Sequence, residues 1–264
     1  MPADRFSGDE RGTGPAARQT SSAPHSAAAD PGGARVAQAT KPVEKGVFFL
    51  LSEEGHARYL MQSGVGGQPS PEDHAAGAAV FANSVAFAGN LNRGLRNQYK
   101  VTYDPLEFRY FTSLEDMLLA KPSADVAGGT WASAAILTHS TYRVSTGRGG
   151  LTKEQGLWVT PDGVFTSALR EFALSDDPQF KGFRSRFAPR GSLNIFACGG
   201  TGDFTALACA MRAFFGVSGE AYVPRVMIQV REGGLLYAKL DDNRYRRFNP
   251  KTDLRTVTVA DCGA

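Results

Sequence analysis

Three almost unbroken apolar runs punctuate the chain from Val43 onward. Val47-Phe48-Phe49-Leu50-Leu51, Ala134-Ala135-Ile136-Leu137-Thr138 and Leu193-Asn194-Ile195-Phe196-Ala197 lack the alternation of a half-buried strand. Each predicts a short strand covered on both faces. Between them the apolar spacing changes to three and four. Phe81, Val85, Ala88, Leu91 and Leu95 make one face of a helix that opens at Pro71-Glu72-Asp73 and runs to about Asn97. Tyr99 to Tyr103 reads as a second strand, and Ser113 to Lys121 as a helix stopped by Pro122. Ser167 to Leu174 and Phe204 to Phe215 are further helices, the latter closed by Gly216. Val223 to Val230 and Leu235 to Leu240 read as strands about a Glu232-Gly233-Gly234 turn. Strand and helix alternate, which predicts an α/β fold with a mainly parallel sheet covered on both faces.

Residues 1–42 have a different character. Runs such as Ala27-Ala28-Ala29-Asp30-Pro31-Gly32-Gly33 are small, polar or helix-breaking, and Phe6 is the one aromatic there. Such a segment buries too little apolar surface to offset its conformational entropy, and it predicts a disordered leader followed by one domain over 43–264. It lacks the apolar core of a cleaved signal peptide and is similar to the Ser/Ala-rich leaders of exported bacterial effectors. Cytoplasmic residence or secretion without signal cleavage, with possible delivery into a host cell, is the corresponding expectation.

Composition narrows the function classes. The formal charge is +3, with Lys and Arg scattered among Asp and Glu, so no nucleic-acid-binding patch stands out. No run approaches the roughly 18–20 apolar residues of a membrane helix. Cys198, Cys209 and Cys262 are odd in number and widely spaced. They suggest neither a disulfide framework nor a zinc site, and point to a reducing compartment. Cys209 lies among Leu207, Ala208 and Ala210 and reads as core; Cys262 reads as tail. His25 falls in the leader, and His56 and His74 flank the first loop as exposed side chains.

The chemistry concentrates at two strand ends. In open α/β sheets, reactive groups gather where the carboxyl ends of strands meet the following loops. His139 ends one apolar strand there, and Cys198 ends another 59 residues later. A thiol needs a base or a positive field to become a thiolate, and a nearby imidazole and the N-terminus of the helix from Phe204 both favour it. Gly199-Gly200 allows backbone to approach a substrate closely.

Two alternatives start from the same residues. Phe196-Ala197-Cys198-Gly199-Gly200-Thr201-Gly202 resembles a phosphate-cradling glycine loop, but the third glycine of that motif is missing and too little chain follows. A P-loop is excluded for want of its Gly-Lys-Ser/Thr ending. The other alternative is a catalytically silent binding module.

The residues Ala135-Ile136-Leu137-Thr138-His139-Ser140 and Leu193-Asn194-Ile195-Phe196-Ala197-Cys198-Gly199-Gly200 resemble the paired motifs of the caspase-like (clan CD) cysteine peptidases. The stretch Leu91 to Val101 is similar to a helix-to-strand segment of that group, and the likeness spans roughly residues 45–240. It implies a three-layer α/β/α sandwich, peptide-bond hydrolysis through a Cys-His dyad and an acyl-enzyme, a protein or peptide substrate, and no cofactor or metal. Cys198 would be nucleophile and His139 the acid–base group, with the backbone N–H groups of Cys198 and Ser140 holding the oxyanion. The family has Gly where Ser140 stands, a change that strains the turn if it needs positive φ. Asp203 is a candidate receiver for a basic substrate side chain, Arg143 and Arg148 for an acidic one. Trp158, expected at an exposed turn, is a further candidate substrate contact. Residues 147–163 and 176–190 are expected to border the cleft, with optional self-cleavage within 176–192.

Overall fold

The computed structural model describes residues 43–61, 68–95, 98–101, 106–147, 150–159, 163–198, 204–240 and 244–263. The leader expected over residues 1–42 lies outside them.

The central sheet is built on β1 (Gly46–Leu51), in which every residue is buried. Its odd and even side chains serve two cores. Val47, Phe49 and Leu51 face one side; Phe48 and Leu50 face the other. A strand with water on neither face has no use for alternation, which is why this run is continuously apolar. β1 pairs in parallel with β2 (Leu106–Phe111) and with β3 (Trp131–Gly147). β3 pairs in parallel with β6 (Phe187–Cys198), and β6 with β7 (Ala221–Pro224). β11 (Leu254–Val257) closes that side antiparallel, giving the order β11-β7-β6-β3-β1-β2. The fold is thus α/β with a mainly parallel mixed sheet.

Helices cover one face: α3 (Leu114–Leu119), α4 (Thr166–Leu174), α5 (Pro178–Arg184) and α6 (Thr205–Phe215). They bury Phe183, Phe214 and Phe215 against Phe49 and Trp131, each ring contributing about 1.5–3 kcal/mol by removal from water. The opposite face carries α2 (Pro71–Asn90), which continues through a π turn at Leu91–Leu95. It also carries a three-stranded antiparallel sheet of β8 (Ile228–Arg231), β9 (Leu235–Lys239) and β10 (Tyr245–Arg247). Gly234, at φ +70°, forms the turn between β8 and β9, and a Cβ there would collide with the Phe87 backbone. The small sheet therefore lies directly on α2. The apolar stretch 223–230 is two strands in two sheets, not one. α7 (Pro250–Asp253) leads into β11.

Several expected elements change. The second strand is Leu106–Phe111, whereas 98–100 form a turn. The helix α1 (Glu53–Leu60) follows β1 directly, where a loop was expected; Ser52 caps it, its Oγ accepting from Gly55 N at 3.1 Å. β3 does not end at His139. It runs on as an arm paired antiparallel with β4 (Gly150–Leu157), which turns into β5 (Val164–Phe165). Residues 176–190 form α5 and the start of β6, at the amino end of that strand. Arg190 stands eight residues, roughly 26 Å, before Cys198, so this segment does not border the strand end that carries the cysteine. Cys209 and Cys262 are joined in a disulfide, which overturns the reading of Cys262 as a free tail thiol and of the cysteines as unpaired. Their spacing of 53 residues leaves no local signature; α6 and the C-terminal turn bring them together.

At the amino edge of the sheet, Glu107 of β2 is buried among partners. It accepts from Trp131 Nε1 at 2.7 Å, Arg109 Nη2 at 3.0 Å and the Ser123 amide at 3.3 Å. Lys45 Nζ lies 3.9 Å from its other oxygen and bonds Asp125 at 2.6 Å. Burial raises the Glu107 carboxyl, but the bonds from Ser123 and Trp131 and the Arg109 charge outweigh it and hold the group below its usual range. Among the described residues, no helix is long and apolar enough to cross a membrane.

Candidate active site

His139 and Cys198 are register partners on the adjacent parallel strands β3 and β6. Neighbouring strands lie about 4.8 Å apart, so the two backbones present these residues side by side at the carboxyl edge. Residues 199–203, and with them Asp203, lie outside the described residues, as does Arg148.

His139 is held on three sides. Its Nε2 is 2.8 Å from Nδ1 of His56, and the two rings meet edge to face. Tyr59 stacks on it, centroids 3.6 Å apart and planes 2° from parallel. Its carbonyl accepts from the Trp158 amide at 2.8 Å. His56 and Tyr59 both come from α1. Because β1 adjoins β3, the helix that leaves β1 starts beside the point where β3 passes His139. α2 presses α1 into place at Gly77, where a Cβ would stand 2.7 Å from the Ala57 nitrogen. Only a residue without a side chain permits that approach.

His56 therefore overturns its expected exposure: it is 2% exposed, and its Nε2 has no hydrogen-bond partner among the described residues. Burial pushes its imidazole down to about 4. Burial, and then repulsion from His56, push His139 down to about 3. Both rings are neutral at neutral pH. Sequence reading missed His56 because it missed α1. A signal was present: Ser52 as cap, Glu53 and Glu54 in the first turn, and the Glu54–Arg58 pair one turn apart.

Trp158 is also displaced from its expected role. It is 2% exposed, because β4 folds back along β3 and delivers its end beneath α1. The indole N–H donates to Gly55 O at 3.2 Å, and the Trp158 carbonyl accepts from Thr138 Oγ1 at 2.7 Å. Trp158 fastens α1 to β3 from inside the core instead of meeting substrate at a surface turn. Arg143 is committed to the β-arm, where its guanidinium pairs with Glu154 at 2.7 Å, donates to Ser167 Oγ at 3.1 Å and covers the Phe165 ring. It stands four residues, roughly 13 Å, beyond His139 along the arm. Ser140 is buried inside β3 opposite Leu157. Lys100 is the one non-glycine residue with positive φ among the described residues, so Ser140 carries none of the strain anticipated for it. His74 is about half exposed, 3.7 Å from Glu54.

A cavity of about 300 Å³ opens against His139, between α1, α2, the middle of β3, and strands β8 and β10. Among the described residues, no three His, Cys, Asp or Glu side chains cluster as a metal site. No family model matches the chain, and no curated protein matches it.

Proposed function

We propose that the protein is a cysteine endopeptidase of the caspase-like type, with Cys198 as nucleophile and His139 as its base. The observation that carries this reading is the register pairing of the two residues on adjacent parallel strands, Cys198 at the end of β6 and His139 where β3 leaves the parallel sheet for its arm. Nucleophile and base then need no long loop to meet, and the base is oriented by a third group, the arrangement that activates a thiol.

The chemistry follows from the proton positions. For Nδ1 of His139 to be bare, Nε2–H must donate to His56 Nδ1, and His56 must carry its own proton on Nε2. Nδ1 takes the thiol proton as Cys198 sulfur attacks the scissile carbonyl carbon. His56 Nδ1 holds the Nε2–H of that ring and so keeps its orientation while it is protonated. The resemblance assigns the oxyanion to the backbone N–H groups of Cys198 and Ser140. His139 then passes its proton to the leaving amine, the C–N bond breaks and a thioester remains. Water, losing a proton to His139, cleaves the thioester and frees the acid and the thiol. No redox step or cofactor enters the balance.

A peptide-library cleavage profile with the wild type and Cys198→Ala tests the reading, beside iodoacetamide labelling mapped by peptide sequencing. Cys198→Ala should lose at least about a hundredfold in turnover, and label should concentrate on Cys198. Retained cleavage in the variant overturns the assignment. A silent binding module is the second reading, favoured by the deep burial of His139 beneath Tyr59. It predicts no turnover and no selective labelling.

A further inference from the structure

The cavity beside His139 is lined by apolar side chains and by uncharged polar ones. Leu60, Val80, Leu137, Met227, Ile228 and Val230 supply methyl groups and a thioether. No Asp, Glu, Lys or Arg lines it among the described residues. Several of the polar side chains that line it are engaged by partners of their own, although His56 Nε2 has none among the described residues. Ser84 Oγ donates to Val80 O within α2 at 2.9 Å, and Thr138 Oγ1 donates to Trp158 O at 2.7 Å. Gln229 Oε1 accepts from Arg231 Nε at 3.0 Å, and His56 Nδ1 is bonded to His139.

A charged side chain entering such a space would give up its hydration and find no countercharge, a cost no apolar side chain bears. An apolar one would exchange water for dispersion contacts on several sides. The volume, about 300 Å³, lies at the bottom of the range for small-molecule pockets, which suits a single side chain. Met227 adds an adaptable wall that tolerates differences in shape.

We infer that this cavity is a binding subsite for one large uncharged side chain of the Leu, Met or Phe class, from the residue adjoining the bond that is cut. The inference rests on the peptidase reading and sharpens it, since the charged receivers considered from sequence are Asp203, Arg143 and Arg148. Arg143 is engaged elsewhere, as described above, and neither Asp203 nor Arg148 lies among the described residues.

The test uses the full chain and fluorescein-labelled hexapeptides that differ at one position only, carrying Leu, Phe, Asp or Lys. Turnover is measured with the wild type, and binding, by fluorescence anisotropy, with Cys198→Ala. The Leu and Phe peptides should be cut at least tenfold faster, and bound at least tenfold tighter, than the Asp and Lys peptides. Val80→Glu should weaken the Leu and Phe peptides and strengthen the Lys peptide by a similar factor. Met227→Glu, on the opposite wall, serves the same purpose if Val80→Glu fails to fold. Cleavage that ignores the varied residue, or prefers Asp or Lys, overturns the subsite and leaves the peptidase standing. Binding that discriminates without any cleavage upholds the subsite and overturns the peptidase. Absence of both cleavage and discriminating binding overturns the two together.

Discussion

Two buried polar clusters sit at opposite edges of one sheet and are built on opposite principles. At the amino edge, Glu107 is a charged group with its needs met by Trp131, Arg109, the Ser123 amide and Lys45. At the carboxyl edge, His56 and His139 are neutral rings sharing one bond, with His56 Nε2 unpartnered among the described residues and an apolar cavity alongside. Burying a polar group without its full set of partners costs stability, and the fold tolerates that at the edge where strand ends meet. One cluster holds the sheet together with satisfied charges; the other is the pair to which we assign proton transfer.

The largest effect that can break this contrast is acid. A histidine whose folded pKa is depressed takes up its proton first in the unfolded chain. The stability it contributes is complete above about pH 6.5 and is lost as the pH falls toward the folded values, about 4 for His56 and about 3 for His139. Together the pair should cost about 3 kcal/mol between pH 6.5 and 5, in a window above the carboxylate range. Urea denaturation at a series of pH values measures it, and His56→Gln should halve the slope. A flat profile would remove the claim that both rings are buried neutral.

Next in size is the other cluster. Glu107→Gln leaves Lys45 and Arg109 without their shared carboxylate and should lower stability by about 2 kcal/mol. Turnover per folded molecule should not change, because the network stands at the far edge from His139. A drop in turnover at unchanged folded fraction would show that the two edges are coupled.

The smallest effect is the most specific. His56→Ala removes the acceptor that orients His139 and should lower kcat at least about tenfold, against the hundredfold that an ångström of misplacement can cost. KM should change little. The acid limb of the kcat profile should move up in pH, since loss of the neighbouring ring relieves the repulsion on a protonated His139. A merely structural histidine would lower stability and leave that limb in place.

How much of this was legible in the sequence depended on where each residue finds its partner. Val47–Leu51, Ala134–Thr138 and Leu193–Ala197 announce themselves because burial on both faces leaves no room for polar positions. Gly216, at φ +68°, ends α6 where the sequence places the stop. β2 hid because Leu106-Glu107-Phe108-Arg109-Tyr110-Phe111 mixes charge with apolar residues, which an edge strand tolerates. The continuation of β3 past His139 is held by cross-strand pairing with β4, a contact that no local period records. Cys198 was legible as a strand end, and His139 as its neighbour across the sheet, although its strand runs on. His56 and the burial of Trp158 were not, since both depend on an eight-residue helix packed by α2.

The bond between Cys209 and Cys262 encloses the whole of β7, β8, β9, β10 and β11 in one covalent loop. Met227 to Val230 and Tyr245, which form one wall of the cavity, therefore belong to a segment anchored at both ends to the body of the domain. A protease that cuts once anywhere between those cysteines would produce two pieces that stay linked. They would run as a single band on a non-reducing gel and part only after a thiol is added. A cut before Cys209, in contrast, would yield fragments joined by packing alone, separable by denaturant without any reductant. The disulfide thus divides the chain into a stretch where a nick leaves the pieces covalently linked and a stretch where it does not.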